Sequence, residues 1–231
     1  WSSDVCSSDL LLEKFNIVPK DKHLYDVAFT HGSYGTKHGL DYTYERLEFL
    51  GDSVLNMIVS EYLYKQYPDY EEGKLTKLRA NYVCQAALIY YSHELGLDKH
   101  IKIYGDDSKI TENEVLSITA DVFESFLGAI FLDQGIEFAK NYISKIIFPY
   151  IDAKKVFFFD YKSVIKEYGD AQEVDIEYKI LDECGVPHNK TFIISILIDG
   201  KEMGVGKGKN KKEAEQAASK QAMKKLKIQK Y

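Results

Sequence analysis

Acidic residues at helical spacing are the feature of this 231-residue chain best suited to chemistry. Glu45, Glu48 and Asp52 stand at i, i+3 and i+7, and a helix of 3.6 residues per turn brings such positions onto one face. Leu47 and Leu50 fall on another side and can anchor that helix in a core. Like-charged pairs so placed destabilise an isolated helix by roughly 0.2–0.5 kcal/mol each, and a bound divalent cation would reverse that sign.

A second acidic pair lies in a much more apolar segment. Asp121 and Glu124 are again three positions apart, with Ala120, Val122 and Phe123 as neighbours. We expect such a pair to be at least partly buried, where an unpaired ionised carboxylate is very costly. The segment therefore predicts either nearby lysine or arginine side chains or a bound metal ion.

A solvated helix face with fortuitous spacing is the competing interpretation of both segments. Acidic residues are common on helices, so this explanation holds for most single pairs at i, i+3. Two such sets on apolar helices weaken it. Spacing alone leaves both interpretations open.

A glycine and lysine run near the end of the chain is suited to binding phosphate. Residues 204–215 read GVGKGKNKKEAE, which places a flexible loop directly before a predicted helix. Helix N-termini favour phosphate oxygens, and four lysines add positive charge there: Lys207, Lys209, Lys211 and Lys212. The GxxxxGK(S/T) spacing of a nucleotide-binding loop is not met, and we expect no small-molecule cofactor. Taken alone, the lysines also fit a solvated face.

The charge of the chain is unevenly distributed. The net formal charge is −6, yet residues 1–155 hold 16 basic against 24 acidic residues and residues 201–231 hold 10 against 3. An acidic front and a basic tail predict that one part holds cations and the other holds phosphates.

Helical periodicity dominates the first two thirds of the chain. From Leu10 to about Ile151 the apolar residues mostly recur at three and four positions, as in Leu47, Leu50 and Val54. Glycine and proline breakers separate these runs, and the pattern predicts five to eight helices without a convincing strand. Residues 1–9 show no helical period and are left out of the fold prediction.

A different pattern follows Pro149, where Lys154 and Lys155 begin a short join. The predicted elements are a helix at Tyr161 to Tyr168, strands at Val174 to Leu181, Thr191 to Ile198 and Lys201 to Gly206, and a helix from Lys211 to about Lys227. Turns between the strands are predicted at Cys184–Asn189 and Asp199–Gly200. Asn210 is the predicted cap of the last helix, and its predicted inner side is Ala214, Ala217, Ala218, Ala222 and Leu226. The sequence thus predicts an all-α domain at residues 10–153 and a small α+β domain, ordered α-β-β-β-α, at residues 160–228.

Several functional classes are disfavoured by what the chain lacks. There is no run of 18 apolar residues free of charge, and residues 122–132 are short and carry Glu124. No secretory signal is evident, so we expect a cytoplasmic protein without a membrane partner. The three cysteines lie far apart and predict neither a disulfide framework nor a zinc knuckle.

Residues 45–55, which read ERLEFLGDSVL, resemble the signature of the ribonuclease III family. Further blocks follow in the family's order: THGS at 30–33 upstream, then EGKLT at 72–76, RA at 79–80 and ADVFE at 120–124. Several blocks in order make the resemblance specific. Tyr44 is a departure, since many members carry asparagine there, and we expect it to alter local packing without touching a metal ligand.

The resemblance implies roles for six acidic residues. The metal-binding carboxylates of the family are matched by Glu48, Asp52, Asp121 and Glu124. Asp52 and Glu124 match the pair usually called catalytic. Glu45 and Glu72 match two further acidic positions that line the same cleft near the subunit interface.

The implied activity is Mg²⁺-dependent hydrolysis of double-stranded RNA, with Mn²⁺ as a substitute. Mg²⁺ takes oxygen ligands and keeps several waters, so a few carboxylates and a phosphate oxygen suffice for an in-line displacement with two metal ions. Members form homodimers through the nuclease domain and leave 5′-phosphate and 3′-hydroxyl ends with short 3′ overhangs. Processing of ribosomal and messenger RNA precursors is the family expectation. Histidine is not required, and we expect His31 to be structural at a helix end.

The second predicted domain resembles the double-stranded RNA-binding domain. Its first contact region is matched by Lys166 and Glu167 on the first helix, where many members have glutamine at the position of Lys166. The second is the loop at 185–188, which includes His188, and the third is Lys207 to Lys212. Such domains span about 16 base pairs and recognise A-form shape more than sequence.

Two other functions compete with this interpretation. A non-catalytic scaffold that binds double-stranded RNA would be expected to have lost metal ligands, and all of them are present. A different metal-dependent phosphohydrolase would not explain the basic α-β-β-β-α tail. Metal-dependent cleavage of duplex RNA separates the predicted enzyme from both.

Overall fold

The computed structural model describes residues 7–105, 111–185 and 190–228. It divides the chain into two compact units, Trp1–Phe158 and Phe159–Tyr231, each of which is described by itself. The predicted fold class is confirmed, because the first unit is helical and the second has the order α-β-β-β-α. His188, which was predicted to contact RNA, lies outside the described residues.

The described part of the first unit has more helices than the five to eight predicted. Its nine α-helices are α1 (Ser7–Lys14), α2 (Lys22–Ala28), α3 (Gly32–His38), α4 (Glu45–Gln66), α5 (Glu72–Val83), α6 (Gln85–Leu95), α7 (Glu112–Gln134), α8 (Ile136–Ile146) and α9 (Phe148–Asp152), with a 3-10 turn at Leu97–His100. Helices α1, α2, α3 and α9 have eight, seven, seven and five residues, too few turns to show a clear hydrophobic period. Helix α1 also begins inside residues 1–9, which the sequence prediction had left out.

Helix α7 lies at the centre of the first unit and packs against α2, α4, α6 and α8. It starts with a capping box, in which Thr111 Oγ1 accepts from the Glu114 N–H and Glu114 Oε2 accepts from the Thr111 N–H. Val122, Phe123 and Phe126 on this helix are fully buried. By length and composition α7 could also cross a membrane, but most of it is buried inside the unit, so its place in the core accounts for its apolar sequence.

Two glycines allow α4 and α7 to touch backbone to backbone. A Cβ atom on Gly51 would lie 1.8 Å from the carbonyl oxygen of Glu124, and one on Gly128 would lie 2.3 Å from that of Leu47. Both distances are far inside van der Waals contact, so a larger residue at either position requires the helices to separate. This contact brings the acidic face of α4 next to that of α7.

The chain that follows α9 remains attached to the first unit through Phe158. The Asn81 side chain donates to the Lys155 carbonyl at 2.8 Å and accepts from the N–H groups of Phe157 and Phe158 at 2.9 and 3.0 Å. The Lys155 ammonium lies 3.4 Å from the ring centroid of Tyr90, a cation–π contact. We refer to residues 155–158, held in this way, as the Asn81 strap.

The second unit contains α10 (Tyr161–Gln172), strands β1 (Ile176–Cys184), β2 (Thr191–Ile198) and β3 (Lys201–Gly208), and α11 (Lys211–Lys225). The strands form an antiparallel sheet in the order β1-β2-β3. Asp199 and Gly200 both have positive φ, +48° and +72°, as in the two-residue hairpin turn that the sequence predicted. Strand β2 matches its predicted bounds. The observed β1 begins and ends further along the chain than predicted, and its pairing with β2 continues to Cys184 past a register irregularity between Ile180 and Asp182.

Helix α11 rests directly on β3. Cβ atoms on Gly204, Gly206 and Gly208 would lie 2.6, 2.0 and 2.4 Å from backbone atoms of α11. The predicted inner residues Ala214, Ala218 and Ala222 are fully buried in this contact, while Ala217 and Leu226 are half-buried. The small residues on both sides fix the start of α11, and therefore its lysines, relative to the sheet.

Candidate active site and RNA-binding surface

Helix α4 presents three of the predicted acidic residues. Leu47, Val54 and Leu55 are buried and orient the helix, while Glu45 and Asp52 are exposed and Glu48 is half-buried. The Asp52 Oδ1 atom accepts a hydrogen bond of 2.6 Å from Asn56 Nδ2, one helical turn further on. Asn56 was missed at the sequence level, although its i+4 spacing from Asp52 was visible there.

Helix α7 brings Asp121 and Glu124 against this face, both half-buried. Burial, followed by the charges of Asp52, Glu48 and Asp121, raises the pKa of Glu124 to about 8. Burial, followed by the charges of Asp121, Glu45 and Asp52, raises the pKa of Glu48 to about 6. The two helices therefore form one group of mutually repelling carboxylates. We call Glu48, Asp52, Asp121 and Glu124 the carboxylate cluster.

No lysine or arginine neutralises the carboxylate cluster within the part of the chain that the structure describes. Nor do three acidic, histidine or cysteine side chains from those residues converge closely enough to form a ready-made metal cage. The donor set consists of carboxylate oxygens, which suits a hard divalent cation that retains several waters.

Tyr44 contacts the carboxylate cluster, which corrects the prediction that it touches no metal ligand. The Tyr44 hydroxyl donates to Asp121 Oδ2 at 3.1 Å, and its ring is buried. Burial raises the pKa of Asp121, while the hydrogen bond from Tyr44 and the charge of His31 oppose that shift. His31 also caps α3, with Nδ1 accepting from the Ser33 N–H at 3.2 Å, the helix-end position predicted for it.

The two additional acidic positions lie in different surroundings. Glu45 is close enough for its charge to raise the pKa values of both Glu48 and Asp121. Glu72 instead occupies the first turn of α5, accepts a hydrogen bond of 2.9 Å from the Thr76 hydroxyl and lines a separate groove. The single chain thus joins Glu45 to the carboxylate cluster and leaves Glu72 outside it.

The four predicted lysines lie around the start of α11. Lys207 lies at the end of β3, Lys209 follows it, and Lys211 and Lys212 occupy the first turn of the helix; all four are exposed. Asn210 caps the helix as predicted, its Oδ1 accepting from the Glu213 N–H at 2.9 Å. Backbone N–H groups and lysines at this end form a favourable place for phosphate.

Lys166 and Glu167, the other two predicted RNA contacts within the described residues, are exposed on α10. Ile165, next to them, is buried in the core of the second unit and fixes the face that they occupy. Helices α10 and α11 are tied together, since Gln216 Nε2 donates to Asp160 Oδ1 at 2.7 Å. One compact unit therefore carries both predicted contact regions.

Comparison with known families assigns each of the two units to a protein family. Residues 21–151 match the family described as Ribonuclease-III-like, and residues 161–226 match the double-stranded RNA binding motif. Ribonuclease 3 of Lactiplantibacillus plantarum is 41% identical over 222 residues, covering 94% of this chain and 96% of that protein. Ribonuclease 3 of Anoxybacillus flavithermus is 43% identical over 221 residues, covering 93% and 92%.

Solved structures support the fold of the first unit. The nuclease domain of ribonuclease III from Campylobacter jejuni is similar in two crystal structures, with 36% and 35% sequence identity and TM-scores of 0.54 and 0.55. The matches cover 59% and 62% of this chain and 93% and 94% of those chains.

A helical unit with a carboxylate cluster, joined in one chain to a double-stranded RNA-binding motif, defines an RNA-cutting nuclease. The chain belongs to the ribonuclease III family of double-stranded RNA endoribonucleases. Members of this family are generally metal-dependent. The predictions of the family and of an enzyme are thereby confirmed.

Proposed function

We propose that the chain hydrolyses double-stranded RNA in a Mg²⁺-dependent reaction, with Mn²⁺ as a substitute. The products would carry 5′-phosphate and 3′-hydroxyl ends with short 3′ overhangs, and the cellular role would be processing of ribosomal and messenger RNA precursors in the cytoplasm. The observation that carries the proposal is the carboxylate cluster, because its partly buried like charges have no basic partner among the described residues.

Glu48, Asp52, Asp121 and Glu124 would hold the cation. Bound Mg²⁺ supplies activation of water and stabilisation of the leaving 3′ oxygen. The raised pKa of Glu124, about 8, keeps this carboxyl protonated at neutral pH in the metal-free protein. Loading of the site therefore requires Glu124 to release a proton, which makes metal affinity rise with pH. Asn56 and Tyr44 orient two of the carboxylates through hydrogen bonds.

The second unit would bind the RNA duplex. Lys207, Lys209, Lys211 and Lys212 offer point charges to the phosphates from the start of α11. Lys166 and Glu167 on α10, together with His188, would contact the minor groove. Because A-form helices are recognised mostly through shape, phosphates and 2′-hydroxyls, this binding would have little sequence preference.

We also propose a homodimer through the first unit. One of the similar Campylobacter jejuni structures is described as having a region involved in dimer formation of its nuclease domain. In this chain Phe49 is 78% exposed and lines a groove of about 850 Å³ together with apolar residues such as Leu50 and Leu132 and with the charged residues Glu45 and Arg46. An exposed ring in a groove with both apolar and charged residues suits a two-fold interface, in which each copy inserts Phe49 into the other.

Phe123 and Phe126 on α7 are fully buried in the core of the first unit, so they are unavailable to a second copy. Sedimentation velocity tests the surface proposed around Phe49. Phe49→Ser should convert dimer to monomer, whereas Val18→Ser, at a residue that is 83% exposed and outside the groove, should leave the dimer intact. A dimeric Phe49→Ser variant would contradict the proposed interface.

Cleavage of a defined duplex tests the proposed reaction. The purified full chain is incubated with labelled RNA of about 40 base pairs, long enough for a domain that spans about 16. Mg²⁺ is compared with EDTA, and single-stranded RNA and duplex DNA serve as controls. We expect cleavage of the RNA duplex alone, only with Mg²⁺, and mass spectrometry should find 5′-phosphate ends. Binding without cleavage in Mg²⁺ and Mn²⁺ alike would favour the non-catalytic scaffold instead.

A further inference from the structure

Tyr44 places a phenol against one carboxylate of the carboxylate cluster. Its side chain is only 4% exposed, and its hydroxyl donates to Asp121 Oδ2 at 3.1 Å. Among the residues that the structure describes, this hydroxyl is the one hydrogen-bond donor to Asp121, and the Oδ1 atom accepts none. One oxygen of the carboxylate is therefore held by the protein, and the other remains available.

A second phenol–carboxylate pair on α7 shows a different use of the same contact. The Tyr25 hydroxyl donates to Asp133 Oδ2 at 2.8 Å, and Asp133 Oδ1 accepts from the backbone N–H groups of Lys20 and Asp21 at 2.9 and 2.8 Å. Both oxygens of Asp133 are thus bonded within the protein, as expected of a structural carboxylate. Asp121 differs because, within the described residues, only one of its oxygens accepts a hydrogen bond.

The location of Tyr44 argues against a role in starting α4. It is the N-cap residue, a position that favours serine, threonine, aspartate and asparagine because their side chains accept from the first N–H groups of the helix. The Tyr44 side chain makes no such bond, and the loss of a cap costs about 1 kcal/mol. Its hydroxyl is instead directed across to α7, where it meets Asp121.

We propose that Tyr44 is a positioning residue, which holds one oxygen of Asp121 and thereby presents the other to the divalent cation. This inference rests on the proposed function, because that function assigns Asp121 to the metal. The hydroxyl keeps the carboxylate from turning away from its like-charged neighbours. Hydrogen-bond partners that orient metal ligands in this way typically change metal affinity by 10–100-fold when they are removed.

Tyr44→Phe removes the hydroxyl and keeps the buried ring. Mn²⁺ binding is measured on the full chain without RNA, from the electron paramagnetic resonance signal of free Mn²⁺. We expect the Kd for Mn²⁺ to rise about 10-fold. In cleavage assays the Mn²⁺ concentration at half-maximal rate should rise by the same factor, while KM for the RNA duplex at saturating Mn²⁺ should stay unchanged, because Tyr44 acts through Asp121 and not through RNA.

Tyr25→Phe is the matched control, since it removes a buried phenol hydroxyl from a carboxylate on the same helix. Tyr25→Phe should lower the temperature of unfolding about as much as Tyr44→Phe does, and it should leave the Kd for Mn²⁺ unchanged. Asp121→Asn supplies a second check, because Tyr44→Phe should have no further effect on the Kd in that background. This double-variant comparison also separates positioning from a general loss of folding.

The outcomes distinguish this inference from the proposed function. Wild-type protein that binds no Mn²⁺ would overturn both. Wild-type protein that binds Mn²⁺ with the same Kd as Tyr44→Phe, or an undiminished effect of Tyr44→Phe in the Asp121→Asn background, would overturn the role of Tyr44 alone.

Discussion

Both units of the molecule use glycine to bring two backbones into contact beside their charged residues. In the first unit Gly51 and Gly128 join α4 to α7, next to Asp52 and Glu124. In the second, glycines of β3 let α11 lie on the sheet, next to the lysines at its start. The environments of the charges differ, since Glu48, Asp121 and Glu124 are half-buried with pKa values raised by burial, while the four lysines are exposed.

On the proposed function, the difference follows from what each surface would bind. A divalent cation needs several oxygens at fixed positions, so its ligands have to be held together against their own repulsion. A duplex backbone offers many phosphates, and exposed lysines on long side chains reach them without a fixed geometry. The contact between backbones therefore fixes the positions of the carboxylates in the first unit. In the second unit it only places the lysines on an exposed surface.

Gly51→Ala should have the largest effect, because its Cβ atom would lie 1.8 Å from a backbone oxygen and force α4 away from α7. We expect the free energy of unfolding to fall by about 4 kcal/mol, more than the roughly 1–3 kcal/mol typical of overpacking, because the clash is with backbone atoms. Urea unfolding of the full chain measures it. Gly73→Ala on α5 is the control, because its Cβ atom would meet open space, and it should stabilise the chain by about 0.5–1 kcal/mol. Equal effects of the two substitutions would refute the close contact.

Glu124→Gln should separate the two units functionally. It removes a proposed metal ligand while leaving the lysines of the second unit in place, so cleavage should fall by about 1000-fold, or about 4 kcal/mol in activation free energy. Duplex binding in a filter or anisotropy assay should stay within about 2-fold of wild type, a difference of less than about 0.5 kcal/mol. If binding were lost together with cleavage, Glu124 would have a role beyond the metal site.

The repulsion in the carboxylate cluster should also appear as pH-dependent stability. In the folded, metal-free protein the pKa of Glu124, about 8, lies above the ordinary carboxyl value of 4.5, so its neutral form stabilises the fold. That contribution is complete below the ordinary value and is lost as pH rises through about 8. Between about pH 5 and about pH 9, in EDTA, the free energy of unfolding of wild type should fall by about 3 kcal/mol relative to that of Glu124→Gln. If the free energies of unfolding of the two proteins followed parallel curves against pH, Glu124 would not titrate in this range.

The smallest effect should come from the exposed lysines. Replacing Lys211 and Lys212 by alanine should weaken duplex binding by about 10-fold and lower the slope of log K against log salt by about 2, one for each phosphate contact. The unfolding free energy should change by less than about 0.5 kcal/mol, because both side chains are exposed. A salt dependence equal to that of wild type would remove these lysines from the phosphate contacts.

The charged surfaces were largely predictable from sequence because each lies within one local element. Helical spacing predicted the acidic face of α4 and the pair on α7, and the cap at Asn210 is formed as predicted. Local periodicity assigns residues to a face of their own helix. The sequence also predicted the hairpin turn at Asp199 and Gly200, because two adjacent residues of types that adopt positive φ are enough to indicate such a turn.

Contacts between elements could not be predicted in the same way. The hydrogen bond from Tyr44 to Asp121 spans 77 positions and depends on how α4 meets α7. That pairing is set by Gly51 and Gly128, whose roles become visible only when the two helices are placed together. The complete burial of Phe123 in the core depends on the same packing.

The Asn81 strap has a practical consequence for dividing the molecule into fragments. A fragment that ends at residue 153 would lack the backbone groups of residues 155–158, and so would leave the half-buried Asn81 amide without three hydrogen bonds. It would also uncover the face of Tyr90 on which the Lys155 ammonium rests. An expression fragment that ends after Phe158 keeps these contacts. A comparison of the yield and melting temperature of the two fragments would show how much of the first unit's stability depends on a segment that looks, from its sequence, like a linker.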